Sequence, residues 1–225
     1  MTEPGYAFYD VPTVTRTFER PSRALLDAAR RFSSATLHEA SGQRGALPSA
    51  LKPVDPSMRI CGPALTVHAP PGDNLWLHRA IVLAQPGDVL IAGVDNAYEH
   101  GYWGEIMSTA ASARGVGGLV IDGCVRDGAL LGAIGIPVFA RGLCIRGTTK
   151  DFAARGWLNS PLRIADVTVR PGDLIVGDGD GVVVVERERI AETLAAAEQR
   201  EAKEASVLEQ LRRGETTLGI YGWDR

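Results

Sequence analysis

Apolar positions along this chain alternate between a period of two and a period near 3.6. "RICGPALTVHA" (59–69) alternates as a strand does, and "LWLHRAIVLAQ" (75–85) carries helical spacing closed by Pro86-Gly87-Asp88. "VLIAGV" (89–94) is an apolar run short enough for a buried strand, and the Ala-rich stretch Glu105–Arg114, with Gly115 just past its end, predicts a helix. "VGGLVI" (116–121), "DGALLGAIG" (127–135) and "IPVFA" (136–140) then form a strand–helix–strand unit, which implies parallel strands and a right-handed crossover. "RIADVTV" (163–169), "DLIVGD" (173–178) and "GVVVVE" (181–186) read as short strands joined by turns, followed by a long helix over 187–214.

Residues 21–41 predict a helix in two pieces, the first started by Pro21 and the second capped by Ser33 or Ser34. The stretch 42–58 is a loop, and residues 1–20 show neither period and contain prolines, as an N-terminal arm or extended cover would. No linker interrupts the remainder, so 21–225 is expected to be one α/β domain of mixed strands flanked by helices.

Pro-Gly-Asp occurs at 71–73, 86–88 and 171–173. The last two lead directly into apolar strands, where turn chemistry accounts for them: Pro presets φ, Gly supplies positive φ and Asp caps. At 71 the same triplet precedes Asn74 and His78, four apart on one helical face, and the turn account is weaker. "VGDGDGVVV" lacks the spacing and closing glutamate of a calcium loop and is better explained as a hairpin turn.

A net charge of −3 and scattered basic residues give no footprint for nucleic acid or an anionic membrane. The N-terminus has no apolar core of a secretory signal, and no run approaches the ~20 apolar residues of a membrane span, so a cytoplasmic location is expected. Cys61, Cys124 and Cys144 are odd in number and widely spaced, against a disulfide framework or a CxxC metal site. Dinucleotide, Walker and nucleophile-elbow motifs are missing, and no glycine pattern suits S-adenosylmethionine.

Two stretches carry candidate chemistry. In "GYWGEIMSTA", Gly104 precedes a helix whose first amides, at Glu105, Ile106 and Met107, lack intrahelical acceptors and so suit a carboxylate or phosphate; a plain helix start with a favourable Glu is the alternative. In "VIDGCVRDGA", Arg126 and Asp127 follow a strand. The arginine forks onto carboxylate or enolate oxygens and the aspartate is a hard ligand for Mg²⁺; an N-cap aspartate with a surface ion pair explains the same residues equally well. His78 reads as a buried histidine and Lys150 as a surface lysine unless a site lies beside them, and Glu201 and Glu204 read as solvated helix positions. His100 is the one histidine suited to a phosphohistidine role, and weakly so.

Taken in order, "TLHEA", "GPALTVHAPPGDN", "GYWGEIMSTAASARGVGGLVIDGCVRD", "GTTK" and "PGDLIVGDGDGVVVV" resemble the RraA-like family, and within it the class II aldolases acting on 4-hydroxy-4-methyl-2-oxoglutarate and 4-carboxy-4-hydroxy-2-oxoadipate. The resemblance runs from about residue 30 to the C-terminus. It implies a swivelling β/β/α-type domain and a homotrimer or a hexamer of two trimers with the site at a subunit boundary. Arg126 then matches the substrate- and enolate-binding arginine, Asp127 the ligand of Mg²⁺ or Mn²⁺, and the amides after Gly104 the cradle for the pyruvoyl carboxylate. Asn74, His78 and Lys150 match pocket residues, and Glu204, with Glu201 as the alternate register, matches a glutamate reaching the site from a neighbouring subunit. The family's aldolases carry aspartate where this chain has Glu105, and the resemblance does not account for the N-terminal extension.

The activity so implied is metal-dependent cleavage of a 4-hydroxy-2-oxo acid to pyruvate and a second 2-oxo acid, accompanied by oxaloacetate decarboxylation. Arg126, Glu105 and Glu204 would act on the reacting atoms. The same family contains regulators that bind an RNA-degrading nuclease without chemistry; such a protein can drop the arginine or the metal ligand, and this chain keeps both.

Overall fold

The computed structural model describes residues 5–224. Four strands, β2 (Ile60–His68), β3 (Val89–Gly93), β4 (Gly118–Val125) and β5 (Val138–Leu143), run parallel, with α3 (Leu75–Leu83), α4 (Glu105–Ala113) and α5 (Gly128–Ile134) in the successive crossovers. Beyond β2 the sheet continues antiparallel through β9 (Leu174–Asp178) and β10 (Gly181–Val185); beyond β5 it ends in the two-residue β1 (Lys52–Pro53). A short β6 (Trp157–Leu158) pairs with the end of β2. Ala46 bridges Val183 on β10, and a few residues later β1 pairs with β5, so residues 45–53 join the two edges and nearly close the sheet.

Alternation along the strands divides the core. Val89 and Ile91 of β3, Val120 of β4, Ile175 of β9 and Val182 and Val184 of β10 point inward, around Phe139, Leu47 and Leu51. Leu90, Ala92, Leu119 and Ile121 point outward onto Trp76, Leu77, Met107 and Leu131 from the crossover helices and onto Trp103 from the loop before α4. Val183 and Val185 point outward too, onto Leu37, Ile190, Leu194 and Ala197 of α2 (Ser34–Ala40) and α6 (Ile190–Arg212). A slip of one residue in β10 would exchange these faces, and each buried Val is worth roughly 1.5–3 kcal/mol, so the register is strongly fixed.

Several expectations need correction. Ser22, not Pro21, starts the first helix: its hydroxyl accepts from Leu25 N–H ahead of α1 (Arg23–Ala29). Ser33 caps α2, which frees the Ser34 hydroxyl to donate to Asp178 at 2.6 Å. "RIADVTV" is two strands, β7 (Leu162–Ile164) and β8 (Val167–Val169), because Ala165 at φ 52° turns the chain back on itself. The long helix begins three residues later than its pattern, after a 3₁₀ turn at Arg187–Arg189, and a further helix, α7 (Thr217–Tyr221), follows it. The Gly179-Asp180 pair is the tip of the β9–β10 hairpin, as turn chemistry requires.

Of the expected arm, residues 1–4 lie outside the described residues and the rest lies on the domain. Val14 bridges Leu158, Phe8, Val11 and Phe18 pack against the outer core, and the Arg20 guanidinium grips the Asp88 carboxylate through two bonds of 2.7 Å.

Candidate functional site

The carboxyl ends of the four parallel strands β2, β3, β4 and β5 lead into the loops that build the site, as in open α/β sheets generally. After β2, residues 70–73 make a turn in which Asp73 N–H donates to Pro70 O at 3.1 Å with Gly72 at φ 69°. The other two Pro-Gly-Asp triplets repeat it: Asp88 N to Gln85 O at 3.0 Å with Gly87 at 89°, and Asp173 N to Arg170 O at 3.1 Å with Gly172 at 88°. Positive φ at the third position marks all three as type II turns.

The side chains differ. Asp88 and Asp173 fold back onto the N–H of the first turn residue, Gln85 at 2.9 Å and Arg170 at 2.7 Å. The first residue of the remaining turn is Pro70, which has no N–H. The Asp73 carboxylate, only 2% exposed, therefore accepts from other groups: Leu75 N–H at 2.8 Å, the Thr149 hydroxyl at 3.2 Å and Asp151 N–H at 2.5 Å. Thr149 N–H also donates to Gly72 O, and Asn74 N–H to Thr149 O. The "GTTK" segment is thus fastened to the start of α3, with Lys150 facing His78.

Aromatic side chains anchor the second loop, 101–104. The Tyr102 hydroxyl donates to Ala97 O and accepts from Gly72 N–H, both at 2.8 Å, and Trp103 Nε1 donates to the buried Ser108 hydroxyl at 2.6 Å. Asn74 Nδ2 donates to Tyr102 O at 2.9 Å and Arg126 N–H to Trp103 O at 2.8 Å. Those two carbonyls are where the Ile106 and Met107 amides would bond if the helix extended upstream; they are taken, and both amides stay available at the N-terminus of α4. Tyr102 and Trp103, flanked by the glycines, were visible in the sequence but not assignable, because the Tyr102 partners Gly72 and Asn74 and the Trp103 partner Arg126 are supplied from after other strands.

Asp127 occupies the N-cap position of α5, but its side chain does not cap the helix. It stands at φ 60°, ψ 30°, and its carboxylate makes no bond to its own helix; Oδ2 accepts instead from Glu105 N–H at 3.0 Å. That contact takes one of the three amides expected to cradle a substrate carboxylate and leaves two. A left-handed non-glycine residue held by a tertiary contact is the kind of local strain that concentrates at functional sites. Arg126 Nε lies 3.7 Å from the same oxygen, and its half-exposed guanidinium makes no hydrogen bond among the described residues. Gly104 is extended at φ −161°, so its reason is space: a Cβ there would overlap Asp127 Oδ2 and lie 3.1 Å from Arg126 Cγ.

A cavity of about 320 Å³ brings together Asn74, His78, Gly104, Glu105, Ile106, Met107, Arg126, Asp127 and Lys150, which are all the candidate residues except the two helix glutamates. Glu204 lies on α6, ion-paired with Arg200 at 2.7 Å, and neither it nor Glu201 lines the cavity. His100 is not a free loop residue; it packs on Gly72 and Tyr102. Asn74 is 6% exposed and its Oδ1 has no partner among the described residues, an acceptor left on the cavity wall. Burial, and then the Lys150 charge, push the His78 pKa below the usual histidine value against the opposing pull of Asp73, so the ring is neutral at pH 7. Asp73 itself was the residue most easily missed; the available signal was the extra proline in "APPGDN".

The RraA-like family model, described as Aldolase/RraA, matches residues 23–184. The chain belongs to the RraA-like family. Among its relatives in the family, a Halalkalibacterium halodurans protein named "Putative 4-hydroxy-4-methyl-2-oxoglutarate aldolase" is 35% identical over 156 residues, covering 69% of this chain and 73% of its own. A Pseudomonas syringae pv. tomato protein of unassigned function superposes with a TM-score of 0.78 at 30% identity, over 89% of this chain and 93% of that one. Streptomyces coelicolor RraAS2, described as an unusual member of the RNase ES inhibitor RraA protein family, has a TM-score of 0.71 at 26% identity, over 88% and 100% of the two chains. The docked arm up to Ser22 lies outside the matched family region.

The RraA-like site is compatible with a hard divalent cation. Among the described residues no group of three His, Cys, Asp or Glu side chains is arranged to hold a metal. Asp127 is partly exposed, its second oxygen makes no hydrogen bond among those residues, and Glu105 stands on the same wall. One or two carboxylates with an open approach suit Mg²⁺ or Mn²⁺, which keep much of their own water.

Proposed function

We propose that this RraA-like protein is a divalent-metal-dependent aldolase that cleaves a 4-hydroxy-2-oxo di- or tricarboxylic acid to pyruvate and a second 2-oxo acid. The observation that carries the reading is the Arg126–Asp127 turn. A strained aspartate and an arginine without a hydrogen-bond partner among the described residues share one cavity with two available amides at the start of α4. A cation held at Asp127, with Glu105 beside it, would supply Lewis-acid polarisation of the 2-oxo carbonyl.

The chain's own groups account for the rest. The substrate carboxylate sits against the Ile106 and Met107 amides at the positive end of the helix. Arg126 stabilises the negative charge that develops on the 2-oxo oxygen as the C3–C4 bond breaks and the pyruvate enolate forms. The Glu105 carboxylate takes the C4 hydroxyl proton as the C4 carbonyl forms. Lys150 faces the distal carboxylate, and the neutral His78 leaves its charge unopposed by a second cation. Oxaloacetate offers the same electron sink with CO₂ as the leaving group, so its decarboxylation accompanies the cleavage.

A trimeric or hexameric assembly with the site at a subunit boundary belongs to this proposal. Ile106 on the cavity wall is 77% exposed, and Leu143 and Ile145, at the end of β5 beside the Arg126–Asp127 turn, are 63% and 97% exposed. Apolar surface of this kind marks an interaction site. Glu204 enters the chemistry only in such an assembly. The RraA-type regulator role of docking on a nuclease would need none of the cavity's polar arrangement, and the retained arrangement favours the enzyme.

The direct test is incubation with 4-hydroxy-4-methyl-2-oxoglutarate and Mg²⁺, following pyruvate with lactate dehydrogenase. Release of pyruvate that stops on chelation supports the reading. No release from this substrate, from 4-carboxy-4-hydroxy-2-oxoadipate or from oxaloacetate overturns it.

A further inference from the structure

We propose that Asp73 is the positioning residue of this cavity and that Pro70 gives it that role: lacking an N–H, Pro70 releases the carboxylate from its turn to hold the Thr149–Asp151 segment, and this segment sets specificity for the distal carboxylate of the substrate. The specificity half rests on the aldolase reading; the clamp itself does not.

The three Pro-Gly-Asp turns form an internal control. They share the backbone bond and the positive-φ glycine, and they differ in the residue that opens them. Where that residue is Gln85 or Arg170, its N–H captures the aspartate at 2.9 or 2.7 Å. Where it is Pro70, one carboxylate oxygen caps α3 through Leu75 N–H, and the other takes both Asp151 N–H and the Thr149 hydroxyl. A buried carboxylate with an incomplete donor set is costly, so the 149–151 segment is held by the same need that the turn meets elsewhere. The segment has no regular secondary structure beyond its bridge from Thr149 to Asp73. Lys150, between the two clamped residues, makes no hydrogen bond of its own among the described residues and lines the cavity near His78. Its position therefore depends on Asp73.

Pro70→Ala tests this with little disturbance, since Pro71 still presets the turn and the new N–H competes for Asp73. The Asp151 amide is expected to exchange with solvent about tenfold faster, the loss of roughly one charge-assisted hydrogen bond. KM for the dicarboxylate substrate is expected to rise about tenfold, while kcat and the rate of metal-supported deuterium exchange into pyruvate stay within twofold. Asp73→Asn, which leaves one acceptor oxygen where two are used, should free the same amide at least as much if it folds. Unchanged amide exchange at Asp151 in Pro70→Ala overturns the clamp, and unchanged KM overturns its role in specificity. Wild-type protein with no pyruvate exchange would overturn the aldolase reading instead, and the hydrogen-exchange arm would still decide the clamp.

Discussion

Replacing Gly104 by Ala separates the site from the fold. The backbone there is extended, so alanine introduces no conformational penalty. The cost is local: the new Cβ occupies the place of Asp127 Oδ2, with Arg126 Cγ at 3.1 Å and Nε at 3.3 Å. No backbone atom is among these nearest neighbours, so the side chains yield, and the carboxylate leaves the Glu105 amide it holds at 3.0 Å. That amide is at an exposed helix start and can turn to water, so the stability lost is about 1 kcal/mol, or roughly 2–4 °C in Tm for a chain of this size. Moving the carboxylate by about 1 Å costs on the order of a hundredfold in rate. Calorimetry and metal-supported proton exchange of pyruvate, measured together, should show a nearly intact melt and a loss of about a hundredfold in exchange. Exchange within threefold of wild type would refute the placement of Asp127 in the chemistry. A Tm drop beyond about 10 °C would refute the separation of site from fold.

Two further outcomes follow from the charges. Lys150→Met removes a cation that opposes protonation of His78, so the His78 pKa should rise toward the ordinary histidine value in an NMR titration; an unchanged or lower value would place Lys150 away from His78. Burial pushes Asp178 up, but the Ser34 hydroxyl and amide, the Asp180 amide and Arg59 together hold its carboxyl below the usual value. Its contribution is therefore present above the ordinary carboxylate pKa and lost as pH falls through the depressed folded value. In chemical denaturation Asp178→Asn should be about 1–3 kcal/mol less stable than wild type at pH 7, and the two should converge near pH 2; a gap independent of pH would contradict this.

Strands were the most legible part of the sequence. "VLIAGV", "VGGLVI" and "GVVVVE" lie in strands because their patterns are set by burial on one or both faces, a property of each residue alone. Boundaries that depend on a single side chain were less legible. Ser22 rather than Pro21 opens α1, and nothing in "RIADVTV" announces that Ala165 takes a positive φ. At the site, the residue types were legible and their arrangement was not. Arg126 and Asp127 stand out at a strand's end, yet "RDG" equally suggests an N-cap. The distinction is made by the start of α4, 22 residues upstream, where the Glu105 amide takes the carboxylate. Asp73 shows the same limit: three identical triplets form identical backbones, and one missing N–H redirects one carboxylate.

Deuterium exchange into the methyl group of pyruvate is the most direct test, because it probes enolate formation without knowing which aldol is cleaved. In D₂O with Mg²⁺ or Mn²⁺, wild-type protein should remove the methyl proton signal far faster than the metal-free sample, and Arg126→Ala should remove it at or near the background rate. Exchange no faster than background with either metal, or exchange that survives the loss of Arg126, would contradict the central claim.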